Sequence, residues 1–210
     1  QADLNNMHKV MHNKIHNYEI VSLDYIQAGM YPEAVQILEE GAKVCATTPM
    51  TYYYMAWALS KEGKENHSVL SKAATHAPGY CFPNRLEAIL ALQYAQSANP
   101  TDSKAFYYLG NLWYDKRQYQ DAIDCWENSE RIDAAFPTVL RNLSLAYFNK
   151  LNETDKAVEY LESAFALDTT DSRILMELDQ LYKRLYRPHG ERLEIKKKYI
   201  ELVEQRDDVY

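Results

Sequence analysis

The sequence predicts an all-α protein built as a stack of antiparallel helix pairs. The main observation is an internal repeat, because core-type residues in 106–113 recur 34 positions later and again 35 positions after that. In each copy these residues are spaced at +3, +4 and +7, which places them on one face of an α-helix. The three copies are Phe106, Leu109, Gly110 and Trp113, then Leu140, Leu143, Ser144 and Tyr147, then Leu175, Leu178, Asp179 and Tyr182.

Each of these helices is followed by a second helix with its own apolar face. The core-type positions of the second helices are Ala122, Trp126, Ser129 and Ile132, which recur as Ala157, Leu161, Ala164 and Leu167. The same two-helix template fits 88 residues upstream of the clearest copy, with Tyr18, Val21, Ser22 and Tyr25, then Ala34, Leu38, Gly41 and Val44. Four regular repeats are therefore predicted, at about 15–48, 103–136, 137–171 and 172–205.

The segment 49–102 departs from the regular pattern. Its periodicity predicts a first helix, a shortened second helix and a further helix over about 85–98 that has no first-helix mate. Proline and glycine residues at 78, 79 and 83 interrupt the segment, so we expect irregular helices with a kink around 65–100.

The clearest copy resembles the tetratricopeptide repeat (TPR). Its residues 109–114, Leu-Gly-Asn-Leu-Trp-Tyr, are followed by Tyr119, Ala122, Ile123 and Trp126, which matches the Leu-Gly, Tyr, Ala and aromatic signature of that family. The resemblance implies a single TPR-like domain over 1–210 that forms a right-handed α-solenoid, or TPR-like superhelix.

The last copy is atypical. Asp179 takes the small-residue position, and a turn at 187–190 precedes a final helix to about Val203, as expected of a terminal cap. This order of repeats and cap is also similar to the C-terminal TPR arrays of larger bacterial multidomain proteins. Because the chain starts at Gln1 and not at methionine, we expect a trimmed product or a piece of a longer chain with a neighbouring domain.

Composition and charge narrow the classes of function. The 210 residues are 47% hydrophobic and 25% charged, which is ordinary for soluble globular proteins. The net charge of -7 repels phosphate backbones and anionic lipid, so nucleic acid is not an expected partner. No apolar run approaches the roughly 20 residues of a membrane helix, and residues 1–6 carry no secretory signature. We therefore expect a soluble, cytoplasmic protein without membrane insertion.

Sequence motifs for catalysis are absent, and the chain is not expected to be an enzyme or to hold a cofactor. It contains no Gly-rich phosphate loop, His-Glu-x-x-His, Gly-x-Ser-x-Gly or Asp-rich calcium loop. Its three cysteines, Cys45, Cys81 and Cys125, are widely spaced and are predicted to be apolar fillers, without a disulfide or a zinc ribbon.

Three histidines raise the question of a metal site. His8, His12 and His16 recur every four residues and would lie on one helical face if residues 4–28 form a continuous helix. The two interpretations are an ion held by two of these imidazoles and a solvated polar face. Since no carboxylate is placed to complete the ligand set, we predict no metal.

The candidate binding surface is the polar stripe opposite the core stripe of each first helix. In the family that the chain resembles, first helices line the concave side of the solenoid, and aromatic and Arg side chains usually carry the binding energy of interfaces. The stripe includes Leu145, Met176, Gln180 and Lys183. The predicted groove residues are Tyr53, Trp57, Lys104, Tyr107, Asn111, Tyr114, Arg141, Asn142, Phe148 and Arg173.

We expect Tyr107 and Tyr114 to be exposed in this groove, whereas Tyr25, Tyr147 and Tyr182 are expected to pack between repeats. Some members of the family clamp the C-terminal carboxylate of a peptide with Asn, Lys and Arg from three first helices. Asn111, Asn142 and Arg173 match three of those positions, but Tyr107 and Glu177 stand where cations are expected.

The predicted function is a non-catalytic scaffold that binds an extended peptide or a partner helix on the concave face. The alternative is an architectural or self-association module that supports a catalytic or carbohydrate-related domain outside this segment. A local excess of positive charge over 183–198, a net +5, is either a solvated helix face or a contact for an acidic partner or a neighbouring domain.

Overall fold

The computed structural model describes residues 2–79 and 81–205, and within these ranges all regular structure is helical. The first helices in chain order are α1 Ala2–Val10, α2 Ile15–Gln27, α3 Tyr31–Val44, α4 Pro49–Lys61, α5 His67–Thr75, α6 Glu87–Ala98 and α7 Ser103–Asp115. They are followed by α8 Tyr119–Ile132, α9 Pro137–Ala146, a π turn Tyr147–Leu151, α10 Thr154–Leu167, α11 Ser172–Arg184, α12 His189–Lys198 and α13 Ile200–Glu204. The all-α prediction is confirmed.

The helices form two compact units, unit 1 (1–125) and unit 2 (126–210). The single domain over 1–210 therefore stays a prediction. Four helices, α2, α7, α9 and α11, start at residues 15, 103, 137 and 172, which are the residues where the predicted regular repeats begin.

In unit 1, α2 and α3 form the first pair, with a close contact between a glycine and a tyrosine. Gly41 of α3 lies against Tyr18 of α2, so that a Cβ added at Gly41 would stand 2.7 Å from the Tyr18 ring. Tyr18 is fully buried, and its hydroxyl is 2.7 Å from Nδ1 of His8. The small residue in this position of the repeat therefore allows the two helices to approach.

The N-terminal segment differs from the expectation of one helix over 4–28. α1 ends at Val10, and both His12 and Asn13 have left-handed backbone, with φ of 53° and 50°. The side chain of Asn17 donates to the Met11 carbonyl at 2.9 Å and closes this turn. Because two successive left-handed residues end a right-handed helix, His8, His12 and His16 do not share one helical face.

The irregular segment of unit 1 is organised around α4. α4 packs against α2, α3, α5 and α6, and α6 packs in turn against α7. Between α5 and α6, residues 76–79 and 81–86 form no regular helix, and hydrogen bonds join residues 76 and 78 to α7. Nζ of Lys104 donates to the His76 carbonyl at 2.6 Å, and the Tyr108 hydroxyl donates to the Pro78 carbonyl at 3.1 Å.

Unit 2 contains the helix pair α9 and α10, which is followed by α11, α12 and α13. Ser144 is buried, and its hydroxyl donates to the Ala157 carbonyl of α10 at 2.6 Å. Tyr147 and Tyr182, expected to pack between repeats, each donate to a glutamate 20 residues earlier in the chain. The acceptors are Glu127 and Glu162, so one contact recurs with the period of the repeat.

The final helix differs from the prediction of one helix to about Val203. α12 ends at Lys198 and α13 begins at Ile200, with Tyr199 between them. Asp179, in the small-residue position of α11, accepts from Nε and Nη2 of Arg192 at 2.8 and 2.9 Å, and Nζ of Lys196 lies 3.0 Å away. A charged residue therefore replaces the close helix contact of the other repeats with an ion pair to α12.

Candidate binding groove

A groove in unit 2 lies between α9 with its π turn on one side and α11 on the other. It encloses about 250 Å³ and is called the α9–α11 groove below. Three of its residues, Ser144, Leu161 and Leu181, are buried, and the others are half-buried or exposed. Those others are Leu145, Phe148 and Asn149 on one side and Met176, Glu177, Gln180 and Arg184 on the other.

The helical spacing explains why these side chains meet. Leu145 and Phe148 are three residues apart, and Met176 and Gln180 are four apart, so each pair lies on one helix face. Phe148 lies in the π turn, a deviation from the α-helix that is frequent at functional sites. The guanidinium of Arg184 stands 5.6 Å from the centre of the Phe148 ring, within cation–π distance.

Arg141, one of the predicted groove residues, forms an ion pair within the protein. Its Nε donates to Oε2 of Glu177 at 2.6 Å, and its Nη2 donates to Oε1 of the same carboxylate at 2.5 Å. Nε of Arg173 also lies 3.4 Å from this carboxylate, but the Arg173 side chain is 62% exposed. Arg173 therefore remains accessible, whereas the charge of Arg141 is neutralised by a two-point ion pair.

Three predicted groove residues of unit 1 are buried, which corrects the expectation that they face a ligand. Tyr53, Trp57 and Tyr107 have exposed fractions of 0%, 8% and 5%. The Tyr53 hydroxyl donates to Asp102 at 2.8 Å, and burial raises the pKa of Tyr53 well above its ordinary value. Tyr107 packs against Tyr108 with ring centres 5.1 Å apart. The cause is the irregular segment, since α6 packs on α4 and α7 and residues 76–78 bond to α7.

Four further predicted groove residues, Lys104, Asn111, Tyr114 and Asn142, are half-buried. Lys104 is tied to the His76 carbonyl, and the Tyr114 ring packs against Tyr119 at 5.1 Å between ring centres. Asn111 is half-buried in α7, and Oδ1 of Asn142 accepts from Nη1 of Arg141 at 3.4 Å. The sequence matches three of the five positions of the carboxylate clamp, and Tyr107, which stands at one of the other two, is buried.

Three features of the groove were not predicted from the sequence: the positions of Asn149 and Arg184 in its wall and the pairing of Glu177 with Arg141. Arg141 and Glu177 are 36 residues apart, which is close to the length of one repeat. Opposite charges at that separation on successive first helices could have indicated this ion pair. The contact of Arg184 with Phe148 depends on the π turn, which no sequence periodicity indicated.

Much of the positive charge over 183–198 is paired within unit 2. Arg192 and Lys196 contact Asp179, Lys197 contacts Glu194 at 3.1 Å, and Arg187 stands 5.3 Å from the centre of the Tyr182 ring. Burial opposes ionisation of Asp179, but the hydrogen bonds from Arg192 and Lys196 outweigh it and lower the pKa of this carboxyl below its ordinary value. This part of the charge therefore stabilises the end of the fold.

Among the side chains that the structure describes, in residues 6–79 and 81–205, no three His, Cys, Asp or Glu form a group that could hold a metal ion. Across the same part of the chain, no helix combines the length and the apolar character needed to cross a membrane.

Comparison with known proteins identifies the fold. No protein-family model matches the chain. Residues 41 to the end of MamA from Desulfovibrio magneticus RS-1 superpose with a TM-score of 0.51 at 22% identity, over 92% of this chain and 97% of that one. Another crystal structure of MamA gives a TM-score of 0.53 at 18% identity, over 88% of this chain and 95% of that chain.

A third similar structure is the C-terminal part of a TPR repeat-containing protein from Cytophaga hutchinsonii. It gives a TM-score of 0.52 at 18% identity and covers 97% of this chain and 73% of that one. Sequence identities of this size establish a shared fold and nothing about shared partners. The chain has an all-α, TPR-like helical-repeat fold.

Proposed function

We propose that the protein is a non-catalytic scaffold that binds an extended segment of a partner protein in the α9–α11 groove. The observation that carries the proposal is the exposure of large apolar side chains in a concave site. Leu145, Phe148 and Met176 are only half-buried there, beside a cavity of about 250 Å³. Concave sites with aromatic and apolar lining and a few polar groups are the usual form of binding pockets.

The chemistry of the groove favours a particular kind of segment. An apolar side chain of the ligand would pack against Phe148, Leu145 and Met176, and the exposed amide of Gln180 would bond its backbone. Lys183 and Arg184 are exposed at the same end of α11, and Arg173 is exposed at its start. Because Glu177 neutralises Arg141, acidic groups of the ligand would pair with these three cations.

A catalytic role has no support in this groove. Its one carboxylate, on Glu177, is held by two hydrogen bonds from Arg141, which leaves it poorly suited to act as a general base. The groove residues Asn149, Gln180 and Met176 are binding groups without nucleophilic character.

The test is a peptide array probed with the labelled chain, followed by calorimetric titration of the peptides that bind. Phe148→Ala should weaken binding by about 1 to 3 kcal/mol, as expected for loss of an aromatic anchor. Leu167→Ala is the matched control, since Leu167 is 46% exposed in α10 and lies outside the groove. Equal affinity of the Phe148→Ala variant and the unchanged chain would contradict the proposal.

The alternative, an architectural or self-association role, predicts a different outcome of the same experiment. No peptide would bind in the groove, and sedimentation velocity would show concentration-dependent association that Phe148→Ala leaves unchanged.

A further inference from the structure

A second concave site lies in unit 1 and contains a buried carboxylate. Glu19 of α2 lines a cavity of about 300 Å³, and its side chain is only 8% exposed. The cavity walls include Ile20 and Leu23 of the same helix and Phe82 of the irregular segment. This cavity is called the α2–α4 pocket below, since Thr48 and Met50 at the start of α4 complete it.

The two oxygens of the Glu19 carboxylate have different surroundings. Oε1 accepts hydrogen bonds from the hydroxyls of Thr48 and Thr51, both at 2.6 Å. Oε2 accepts no hydrogen bond from the described residues, and Nδ1 of His16 is 3.8 Å from it. If Glu19 served only to link α2 to α4, that role would explain the two hydrogen bonds to Oε1. It would not explain why Oε2 has no hydrogen-bond donor among the described residues.

The charges around the pocket favour a cation. Arg85 lies in the pocket wall, but Glu87 and Asp24 face it at 3.2 and 3.9 Å. Arg85 therefore pairs with carboxylates outside the pocket, and Glu19 is the one carboxylate among the residues that line it. A cationic ligand would therefore gain electrostatic energy on entering the pocket.

Because only one oxygen of the Glu19 carboxylate is open to a ligand, some cations fit the pocket better than others. A guanidinium binds carboxylates best through two parallel hydrogen bonds to both oxygens, and here the threonine hydroxyls already occupy Oε1. An ammonium group is a compact charge that needs only one acceptor oxygen, and its alkyl chain packs on apolar walls. The pocket therefore fits an alkylammonium better than a guanidinium.

An apolar ridge beside the pocket indicates the source of that ammonium. Leu86, at the start of α6, and Leu90, one turn later, are 65% and 53% exposed, and Phe82 in the segment before α6 is 68% exposed. Phe82 belongs both to this ridge and to the pocket wall. A small free amine would leave the ridge uncovered, whereas a protein segment that inserts a lysine would cover it with neighbouring apolar residues.

We propose that the α2–α4 pocket binds a lysine side chain of a partner protein, with the ammonium on Oε2 of Glu19 and flanking apolar residues on the Phe82–Leu90 ridge. This site is independent of the α9–α11 groove. Lysine binding in unit 1 can therefore be tested separately from peptide binding in unit 2.

The experiment uses an array of peptides with a central lysine and randomised flanking positions, each also made with acetyl-lysine and with arginine in place of lysine. The full chain should bind a subset rich in apolar flanking residues. Acetylation of the lysine should weaken binding by about tenfold or more, since it removes a charge-assisted hydrogen bond. Replacement by arginine should weaken it by a smaller factor.

Variants of the chain locate the site. Glu19→Gln keeps an acceptor for the two threonines and should abolish the preference for lysine over acetyl-lysine. Glu39→Gln, at an exposed position of α3, makes the same change in net charge and should keep that preference. Leu90→Ala should weaken the lysine and acetyl-lysine peptides equally, whereas Val44→Ala, which truncates another exposed apolar side chain, should weaken neither. Phe148→Ala should not affect these peptides.

Three results would each overturn the proposal. They are equal binding of lysine and acetyl-lysine peptides, a lysine preference that survives in folded Glu19→Gln, and displacement of the peptides by n-butylammonium at equal concentration. The last result would assign the pocket to free amines. If Glu19→Gln fails to fold, the acetyl-lysine comparison and Leu90→Ala still decide the question.

Discussion

At the scale of single residues, the small-residue positions of the first and second helices carry three different chemistries. In the pair α2 and α3, Gly41 allows Tyr18 to approach, whereas in α9 Ser144 donates a hydrogen bond to α10. In α11 the repeat position of Ser144 is taken by Asp179, which forms ion pairs with α12. Small or polar side chains therefore occupy the positions where a first or second helix packs closely against its neighbour.

Gly41→Ala should destabilise the protein by about 1 to 3 kcal/mol, because the added Cβ overlaps the buried Tyr18 ring. Chemical unfolding followed by circular dichroism measures this difference. Gly190→Ala is the matched control, since a Cβ at Gly190 meets no atom within 4 Å. Equal free energies of unfolding for Gly41→Ala and the unchanged chain would show that Tyr18 can move aside.

Asp179→Asn should lower the free energy of unfolding by about 1 to 3 kcal/mol at about pH 7, since hydrogen bonds from Arg192 and Lys196 to an ionised group are lost. The folded pKa of Asp179 is depressed, so its contribution is present above the ordinary carboxyl pKa of about 4. It is lost as the pH falls through the lower folded value.

Urea unfolding of both chains at about pH 7 and about pH 3 tests this dependence, and the difference between them should shrink at the acid end. Glu194→Gln is the control, because the Glu194 side chain is 73% exposed and its ion pair with Lys197 should contribute little. A difference that grows on acidification would have the wrong sign for a depressed pKa.

At the scale of helices, aspartates at equivalent repeat positions begin α7 and α11. Asp102 accepts from the backbone N–H groups of Lys104 and Ala105, and Asp171 accepts from those of Arg173 and Ile174. Both are N-caps, which satisfy donors left free in the first turn. Only Asp102 is also bonded to another helix, through the Tyr53 hydroxyl of α4.

Asp102→Ala should therefore cost more stability than Asp171→Ala. Loss of an N-cap alone costs about 1 kcal/mol, as expected for Asp171→Ala. Asp102→Ala should cost about 1 to 3 kcal/mol more, because the buried hydroxyl of Tyr53 loses its acceptor. Thermal and urea unfolding of the two variants give the comparison, and Tyr53→Phe in the Asp102→Ala background should recover part of the difference. Equal costs would show that the Tyr53 bond adds nothing.

At the scale of the whole molecule, the chain consists of two compact units with different local architecture. Unit 1 contains the irregular segment and the α2–α4 pocket, and unit 2 contains the π turn and the α9–α11 groove. Each candidate binding site thus lies where its unit departs from a regular helix pair.

Purified protein without an affinity tag should carry no stoichiometric zinc, nickel or copper. The break at His12 and Asn13 separates the three N-terminal histidines, and His8 contacts Tyr18 while His16 lies near Glu19. Elemental analysis measures the metal content. About one ion per chain, lost in a His12→Ala variant, would overturn this expectation.

Periodicity in the sequence was sufficient to predict the all-α class and the starts of α2, α7, α9 and α11, because these depend on local helical spacing and on its repetition. The TPR-like fold was predicted from the resemblance of one copy to the TPR signature. Periodicity also placed Leu145, Phe148, Met176 and Gln180 on one stripe. Only the tertiary structure decided that Tyr53, Trp57 and Tyr107 are buried, since their environment depends on how an irregular segment packs on α4 and α7. The same holds for the pairing of Arg141 with Glu177, the π turn at Phe148 and the pocket around Glu19. These features arise from contacts between residues far apart in the chain, and no local periodicity in the sequence indicates such contacts.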